Sequence, residues 1–266
     1  LRRNRLGTTF TLNSMKPEIL HDDESIVIVS KPAGMLTIPD RFDKDFPNVR
    51  TYLLSVYGAI FTVHRLDRDT SGVIIFAKNA EAHKHLSMQF EHQTVEKTYT
   101  AIVRGIVSKD DQEIDIPLIA DTRKKGLMRP SARGKESFTS VHVVKRFRIA
   151  SLLECKPKTG RLHQIRVHLS AIGYPLLVDP DYGSSSEFKL STIKRKYNVG
   201  KDQEERPLLS RTPLHSSSIS FIHPMSEVKV IFNAELPKDM TATINVLNKY
   251  APYKSFDSLS SYDEWL

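Results

Sequence analysis

Apolar and polar residues recur with different periods along the chain, and each change of period predicts a different element. From residue 24, ESIVIVSKPAG runs through β-branched residues into Pro-Ala-Gly, the pattern of a strand ending in a turn. Over 48–58, Val49, Leu53 and Val56 fall on one helical face. GVIIFAK (72–78) predicts a buried strand opened by Gly72. Residues 80–92 predict a helix with Ala82, His85, Leu86 and Phe90 near helical spacing. KTYTAIVRG (97–105) alternates as a strand does. FTSVHVVKRF (138–147) and ASLLECKP (150–157) predict an antiparallel pair turning at Arg148 and Ile149. Beyond TGR (159–161), Leu162, Ile165, Leu169 and Ile172 return at helical spacing, with Thr159 as the expected N-cap and Gly173 as the stop. SISFIHP (218–224) and EVKVIFNA (227–234) predict another strand pair, and 240–250 a closing helix.

Three stretches carry no such pattern. Residues 1–16 form a basic arm, 106–136 are irregular and increasingly basic, and about 183–210 form an exposed loop insertion rich in Ser, Lys and Glu. One catalytic-sized domain is therefore expected over 17–250, followed by a tail over 251–266. Strands come in adjacent pairs with helices placed irregularly between them. That pattern predicts an α+β fold with a mixed, largely antiparallel central sheet flanked by helices, not a repeating βαβ sheet.

Composition narrows the class. With 266 residues, 39% of them hydrophobic, the chain can bury a sizeable core. The single Cys155 excludes an intramolecular disulfide and a multi-cysteine metal site, and it falls in a strand where a small core residue is expected. No apolar run approaches the ~20 residues of a membrane helix, and no signal-peptide stretch follows the basic start. A cytoplasmic protein without a membrane partner is the expectation. The net charge of +8 suits a polyanionic partner, because phosphates neutralised by Lys or Arg release counterions. A merely basic surface would carry the same charge.

Three segments bear chemistry. In HRLDRDTSG (64–72), Asp67 stands between Arg65 and Arg68, whose charges favour an ionised carboxylate able to act as nucleophile, base or charge stabiliser. By residue type alone, a turn aspartate bonding local backbone fits as well. KPKTGRLHQIRVHL (156–169) crowds Arg161, His163, Gln164, Arg166 and His168 onto a short helix, with His163 and Arg166 on one side. Such donors suit phosphate contact, or else an amphipathic helix whose Arg stems cover apolar surface. A shared metal at His163 and His168 is disfavoured, since their spacing turns them ~140° apart. RKKGLMRPSARGK (123–135) holds Arg123, Lys124, Lys125, Arg129, Arg133 and Lys135 and no acid, as a loop adapting to an RNA backbone would. A solvated loop without a partner is the alternative. Serine-hydrolase, P-loop and dinucleotide fingerprints are absent.

Taken together these segments resemble the RluA-type family of pseudouridine synthases. HRLDRDTSGVIIFAKN (64–79) is similar to its catalytic motif, EKTYTAIVRG (96–105) to its second and KTGRLHQIRVHLSAIGYPLLVD (158–179) to its third. DDESIVIVSKPAGM (22–35) and LHSSSISFIHP (214–224) resemble its entry and late strands. The likeness spans about 17–235. It departs in the 183–210 insertion, and in DYG (181–183) where LYG is more usual.

The resemblance implies the pseudouridine synthase fold and site roles. Asp67 is the aspartate that attacks the target uridine, Tyr99 packs on the base, Arg166 pairs with the catalytic carboxylate and Arg65 holds the strand around a flipped nucleotide. It implies no cofactor and no metal. The expected partner is RNA, ribosomal in preference to transfer RNA, bound by a monomer through Arg65, Arg161, His163 and the basic stretch with Arg123, Lys124, Lys125 and Arg129. The rivals are a catalytically silent RNA-binding module and a metal hydrolase built on His64, His163 and His168.

Overall fold

A computed structural model describes residues 2–3, 9–10, 16–194, 197 and 204–254. The expected arm thus falls mostly outside the described residues, apart from the short strands β1 (Arg2–Arg3) and β2 (Thr9–Phe10), which pair with each other. The tail from 255 onward and residues 195–196 and 198–203 of the insertion also lie outside them.

From residue 16 the chain folds around one ten-stranded sheet. Strands β3 (Glu18–Asp22), β4 (Ile26–Lys31), β5 (Phe61–Thr62) and β6 (Ser71–Ala77) form one wing, with helix α1 (Val49–Tyr57) between β4 and β5 in sequence and α2 (Ala80–Glu91) following β6. Strands β7 (Glu96–Arg104), β8 (Asp111–Asp115), β11 (Phe138–Arg146) and β12 (Ala150–Pro157) form the other. The hairpin β9 (Leu118–Ala120) and β10 (Met128–Pro130) makes a separate two-stranded sheet. Helix α3 (Gln164–Ala171) follows β12. Strand β13 (Leu214–Ile222) then joins the two wings, β14 (Lys229–Asn233) flanks it, and α4 (Lys238–Tyr250) comes last. All pairings in the large sheet are antiparallel except β13 with β6. This is the mixed α+β sheet that the paired strands predict.

Burial explains the strand periods. All of β6 is buried, and its side chains alternate between two cores. Ile74 and Phe76 join Val27, Val29, Val49 and Leu53 on one face. Val73 and Ile75 join Ile26, Ile28, Ala82 and Leu86 on the other. A strand covered on both faces loses the polar half of its alternation, hence the continuous apolar run. Asn48 and Asn79 open α1 and α2, each accepting the N–H three residues on at 2.8 Å.

Four local expectations are corrected. Val56 is 52% exposed, because α1 buries only Val49 and Leu53. The stretch 106–136 contains β8, β9 and β10, whose short lengths and charged outer positions hide their pairing from a periodicity reading. The insertion is anchored, since Phe188, Ile193 and Leu209 are buried with Met240 and Leu247 of α4. Thr159 does not cap α3; its hydroxyl accepts the Phe138 N–H at 3.0 Å and donates to Gln164 Oε1 at 2.7 Å. The expected pair β11–β12 and the stop at Gly173, in the left-handed region at φ +88°, are present. No helix among the described residues is long and apolar enough to cross a membrane.

The joint between the wings is tight. Gly72, with φ +112°, lies where a Cβ would stand 2.1 Å from the Ser216 carbonyl oxygen. Beside it, the buried Ser71 hydroxyl bonds His215 Nδ1 at 2.9 Å, and His215 Nε2 donates to the Ala234 carbonyl at 3.1 Å. Gly72→Ala has both the wrong backbone region and no space. It should destabilise the fold by at least ~3 kcal/mol, in the range of the most damaging single substitutions. Chemical denaturation checks this, and a wild-type midpoint would show that the joint can open.

Candidate active site

The segment 63–70 leaves β5 and returns as β6 without regular structure, so its backbone groups need partners from elsewhere. The Arg68 carbonyl accepts the Gly34 N–H and the Lys31 ammonium, each at 2.9 Å. Lys31, wholly buried, also donates to the carbonyls of Pro32 at 3.0 Å and Met35 at 2.7 Å. Burial pulls its pKa down to about 7, against the opposing pull of Asp69 and Asp67. Thr37 donates to the Leu66 carbonyl at 2.9 Å and accepts the Leu66 N–H at 3.1 Å. Arg211 grips Asp239 at the start of α4 and donates to the Asp69 carbonyl at 3.2 Å. His64 Nε2 accepts the Ile75 N–H at 3.2 Å while its ring stacks on Phe90 at 4.7 Å. Burial drives the His64 pKa down to about 3, so the ring is neutral.

Held this way, Asp67 opens onto a cleft of about 750 Å³. Arg65, Tyr99, Arg161 and His163 line the same cleft. Arg65 is exposed at the rim, and the Arg161 Nε is tied to the Glu136 carbonyl at 3.0 Å. Tyr99 is 9% exposed and stands opposite Ser216 in the β7–β13 register. Burial, reinforced by the charge of Asp67, pushes its pKa to about 12, so it is a neutral phenol.

His163 sits at the head of α3 with φ +54°, a left-handed conformation that is costly for a residue with a Cβ. Gln164 secures this turn. Its Oε1 accepts from Thr159 and from the Arg161 N–H, and its Nε2 donates to the Phe138 carbonyl and the Thr139 hydroxyl, all between 2.7 and 3.0 Å. The imidazole Nε2 thereby stands 3.9 Å from Asp67 Oδ2.

Arg166 corrects an expectation. Its guanidinium does not bond Asp67. It makes a fork with Asp179 at 2.8 and 2.7 Å, reaches Asp181 at 2.7 Å, and lies over the Tyr182 ring. Asp67 contributes to it only as a more distant charge. The physical reason is competition. Asp179 has a side chain 1% exposed and cannot stay charged without a cation, whereas Asp67, at 27%, reaches solvent. Burial alone would raise the Asp179 pKa, but the Arg166 fork and the N–H groups of Tyr182 and Asp181 hold it below the ordinary carboxylate value.

The remaining basic candidates lie apart. Arg123, Lys124, Lys125 and Arg129 are exposed on the β9–β10 hairpin, which packs against α3 beside the cleft and not in its wall. A smaller pocket of about 210 Å³ lies under the hairpin, with Lys124, Arg129 and Tyr182 among its walls. The three histidines of the metal rival do not converge. His168 is engaged inside the core by Thr139 and the Ile116 carbonyl, each at 3.0 Å. Among the described residues, the side chains close enough to share an ion are His21, Asp23 and His223. There His223 Nδ1 accepts the N–H groups of Met225 and Ser226. Its proton must therefore sit on Nε2, facing Asp23 at 3.0 Å, where a metal would need a lone pair.

Sequence reading missed Asp179, Asp181, Tyr182, Lys31 and Lys97. Lys97 was findable: two residues before Tyr99 in β7, it shares the strand face that lines the cleft. Burial pulls its amine down to about 8, and among the described residues it forms no ion pair. Thr62, in the same wall, has a buried hydroxyl without a partner.

An acid, a phenol and several cations around a nucleotide-sized cleft define an enzyme for a polyanionic substrate. Comparison with known proteins gives the class. Residues 25–171 match the family model described as RNA pseudouridylate synthase. An uncharacterized RNA pseudouridine synthase of Bacillus subtilis, YlyB, is 35% identical over 88% of this chain and 74% of its own length. The ribosomal large subunit pseudouridine synthase D of Zymomonas mobilis is 36% identical over 86% and 72%. The dual-specificity RNA pseudouridine synthase RluA of Vibrio vulnificus is 35% identical over 79% of each chain. The human RNA pseudouridylate synthase domain containing 4 structure superposes with a TM-score of 0.66 at 22% identity, covering 90% of this chain and 95% of that one. The chain belongs to the RluA-type family of RNA pseudouridine synthases.

Asp179→Asn should destabilise the fold, by up to the ~3–5 kcal/mol of a broken buried pair, because it leaves the buried Arg166 charge with only the partly exposed Asp181 carboxylate. Because the folded-state pKa is depressed, this contribution is present above the unfolded carboxylate value and is lost as pH falls through the folded one. Denaturation from pH 7 into the acid range should show the wild-type and variant curves converging. Parallel curves would mean that the pair does not titrate with folding.

Proposed function

We propose that this chain converts specific uridines of structured RNA to pseudouridine, in ribosomal RNA in preference to transfer RNA, with Asp67 as the nucleophile. The observation that carries this reading is the opening of Asp67 and Tyr99 onto one cleft rimmed by Arg65, Arg161, His163 and Lys97. The reaction breaks the C1′–N1 glycosidic bond, turns the base and joins C1′ to C5, which loses its proton while N1 gains one. Atoms balance within the nucleotide, so the conversion requires no redox partner or energy source. A stacked uridine is out of reach of Asp67 and has to be flipped out, at a cost of a few kcal/mol. Arg65 at the rim is placed to hold the strand around the vacated position, and the Tyr99 ring to receive the base.

Charge supports the substrate class. Lys97, which forms no ion pair among the described residues, has a desolvation cost that a phosphate of the flipped nucleotide would offset. Arg123, Lys124, Lys125 and Arg129 extend the positive surface along the hairpin, as binding of a larger folded RNA requires. Arg166 acts as a structural anchor that sets the charge behind Asp67 through Asp179 and Asp181. The ribosomal preference rests on the large-subunit enzyme among the relatives, and transfer RNA is the alternative.

Asp67→Ala should abolish pseudouridine formation and leave the RNA Kd within about threefold, a small change against the ~1.4 kcal/mol of a tenfold one. Chemical mapping of pseudouridine across cellular RNA, with the wild-type gene, without it and with the variant, reads activity and substrate together. A site that persists in the variant refutes the nucleophile; a lost site in transfer RNA alone refutes the ribosomal preference. Replacing Arg123, Lys124, Lys125 and Arg129 by Gln should weaken binding and flatten log Kd against log salt, by up to about 0.9 for each phosphate that is no longer neutralised. An unchanged slope means that the hairpin touches no phosphate.

A further inference from the structure

We propose that His163 positions the Asp67 carboxylate for attack, with its proton held on Nε2 by a hydrogen-bond chain that begins in the basic hairpin. The proposal rests on Asp67 being the nucleophile. It assigns to His163 and Tyr182 a task beyond binding RNA.

The chain of bonds fixes where the protons lie. The Met128 N–H, in β10, can only donate, and it donates to the Tyr182 hydroxyl oxygen at 2.8 Å. That hydroxyl is also 2.8 Å from His163 Nδ1. A phenol has one proton to give. Given to Nδ1, it leaves the neutral imidazole protonated on Nε2, the atom 3.9 Å from Asp67 Oδ2. In the opposite tautomer the phenol proton would lose its acceptor, and an Nε2 lone pair would face a carboxylate oxygen. Burial disfavours the doubly protonated ring, against the attraction of Asp67. The arrangement therefore presents an N–H to one carboxylate oxygen and leaves the other to attack. The gap is about 1 Å longer than a hydrogen bond, and catalytic hydrogen bonds commonly shorten when substrate binds.

The members of the chain beyond the hairpin are anchored. His163 is held in its left-handed turn by Gln164. Tyr182 lies under the Arg166 guanidinium at 4.9 Å, and its carbonyl accepts from Ser170 of α3 at 2.7 Å. With Arg166 occupied by Asp179 and Asp181, His163 is the donor left to Asp67. Met128 belongs to the hairpin that carries Arg123, Lys124, Lys125 and Arg129.

Tyr182→Phe removes the hydroxyl and keeps the ring on Arg166. Its RNA Kd and melting temperature should stay close to wild type, while the single-turnover rate falls by about tenfold or more, as expected when a reacting group loses its alignment. At His163, Gln carries a donor at the Nε2 position and Asn one at the Nδ1 position. His163→Gln should retain most of the rate, and His163→Asn should lose about as much as His163→Leu. Nitrogen-15 histidine NMR of the wild-type protein, with His163 assigned by its loss in His163→Gln, should place the proton on Nε2, and Tyr182→Phe should mix the tautomers. A proton on Nδ1 in the wild type overturns the proposal, as does a folded, RNA-binding Tyr182→Phe protein with an unchanged rate, or an Asn variant as active as the Gln one. The tautomer is read without turnover, so an active Asp67→Ala variant would refute the nucleophile and leave the NMR result to judge the hydrogen-bond chain.

Discussion

Asp67 lies on a stretch of backbone that makes almost no hydrogen bonds to itself, and the site depends on how its carbonyls are satisfied. Lys31, Gly34, Thr37 and Arg211 supply the donors to Leu66, Arg68 and Asp69. An unsatisfied buried carbonyl costs ~1–3 kcal/mol, so several donors from different parts of the fold make one loop conformation much lower in free energy than its alternatives. Asp67 is thus positioned by residues that do not line the cleft. The close β6–β13 joint at Gly72 sets where the loop must end, and the bond from Arg211 couples it to α4.

Behind the loop, charges are arranged so that the buried acid Asp179 takes the buried cation Arg166. Arg166 lies between Asp179 and Asp181, and Asp67 is left facing the cleft. Asp181 stands where LYG would place leucine, so the change to DYG adds a carboxylate to a cluster that already contains Asp179. The result is a cleft wall pinned on its α3 side, with the His163 imidazole 3.9 Å from the Asp67 carboxylate. Arg123, Lys124, Lys125 and Arg129 sit on a separate, small hairpin, which the Met128 N–H links to this wall through the Tyr182 hydroxyl.

Much of this was legible in the sequence. The two-faced apolar run of β6, the pair β11–β12, the closing helix and the α+β class follow from periods that burial imposes directly. The motif with Asp67 and the phenol at Tyr99 were visible as residue types in order, and the family follows from them. Less legible were elements stabilised by few apolar residues: β8, β9 and β10 are short and charged, and the 183–210 insertion buries only isolated side chains such as Phe188 and Leu209.

What the sequence determined is which groups are present: a carboxylate between arginines, a phenol, a polar helix and a basic hairpin. What the tertiary structure decided is who pairs with whom. Arg166 bonds Asp179 and Asp181 instead of Asp67, Lys31 serves carbonyls, and Lys97 forms no ion pair among the described residues. Pairing among buried charges depends on distance and desolvation, and both are set by how distant segments pack, which no local pattern of residues encodes.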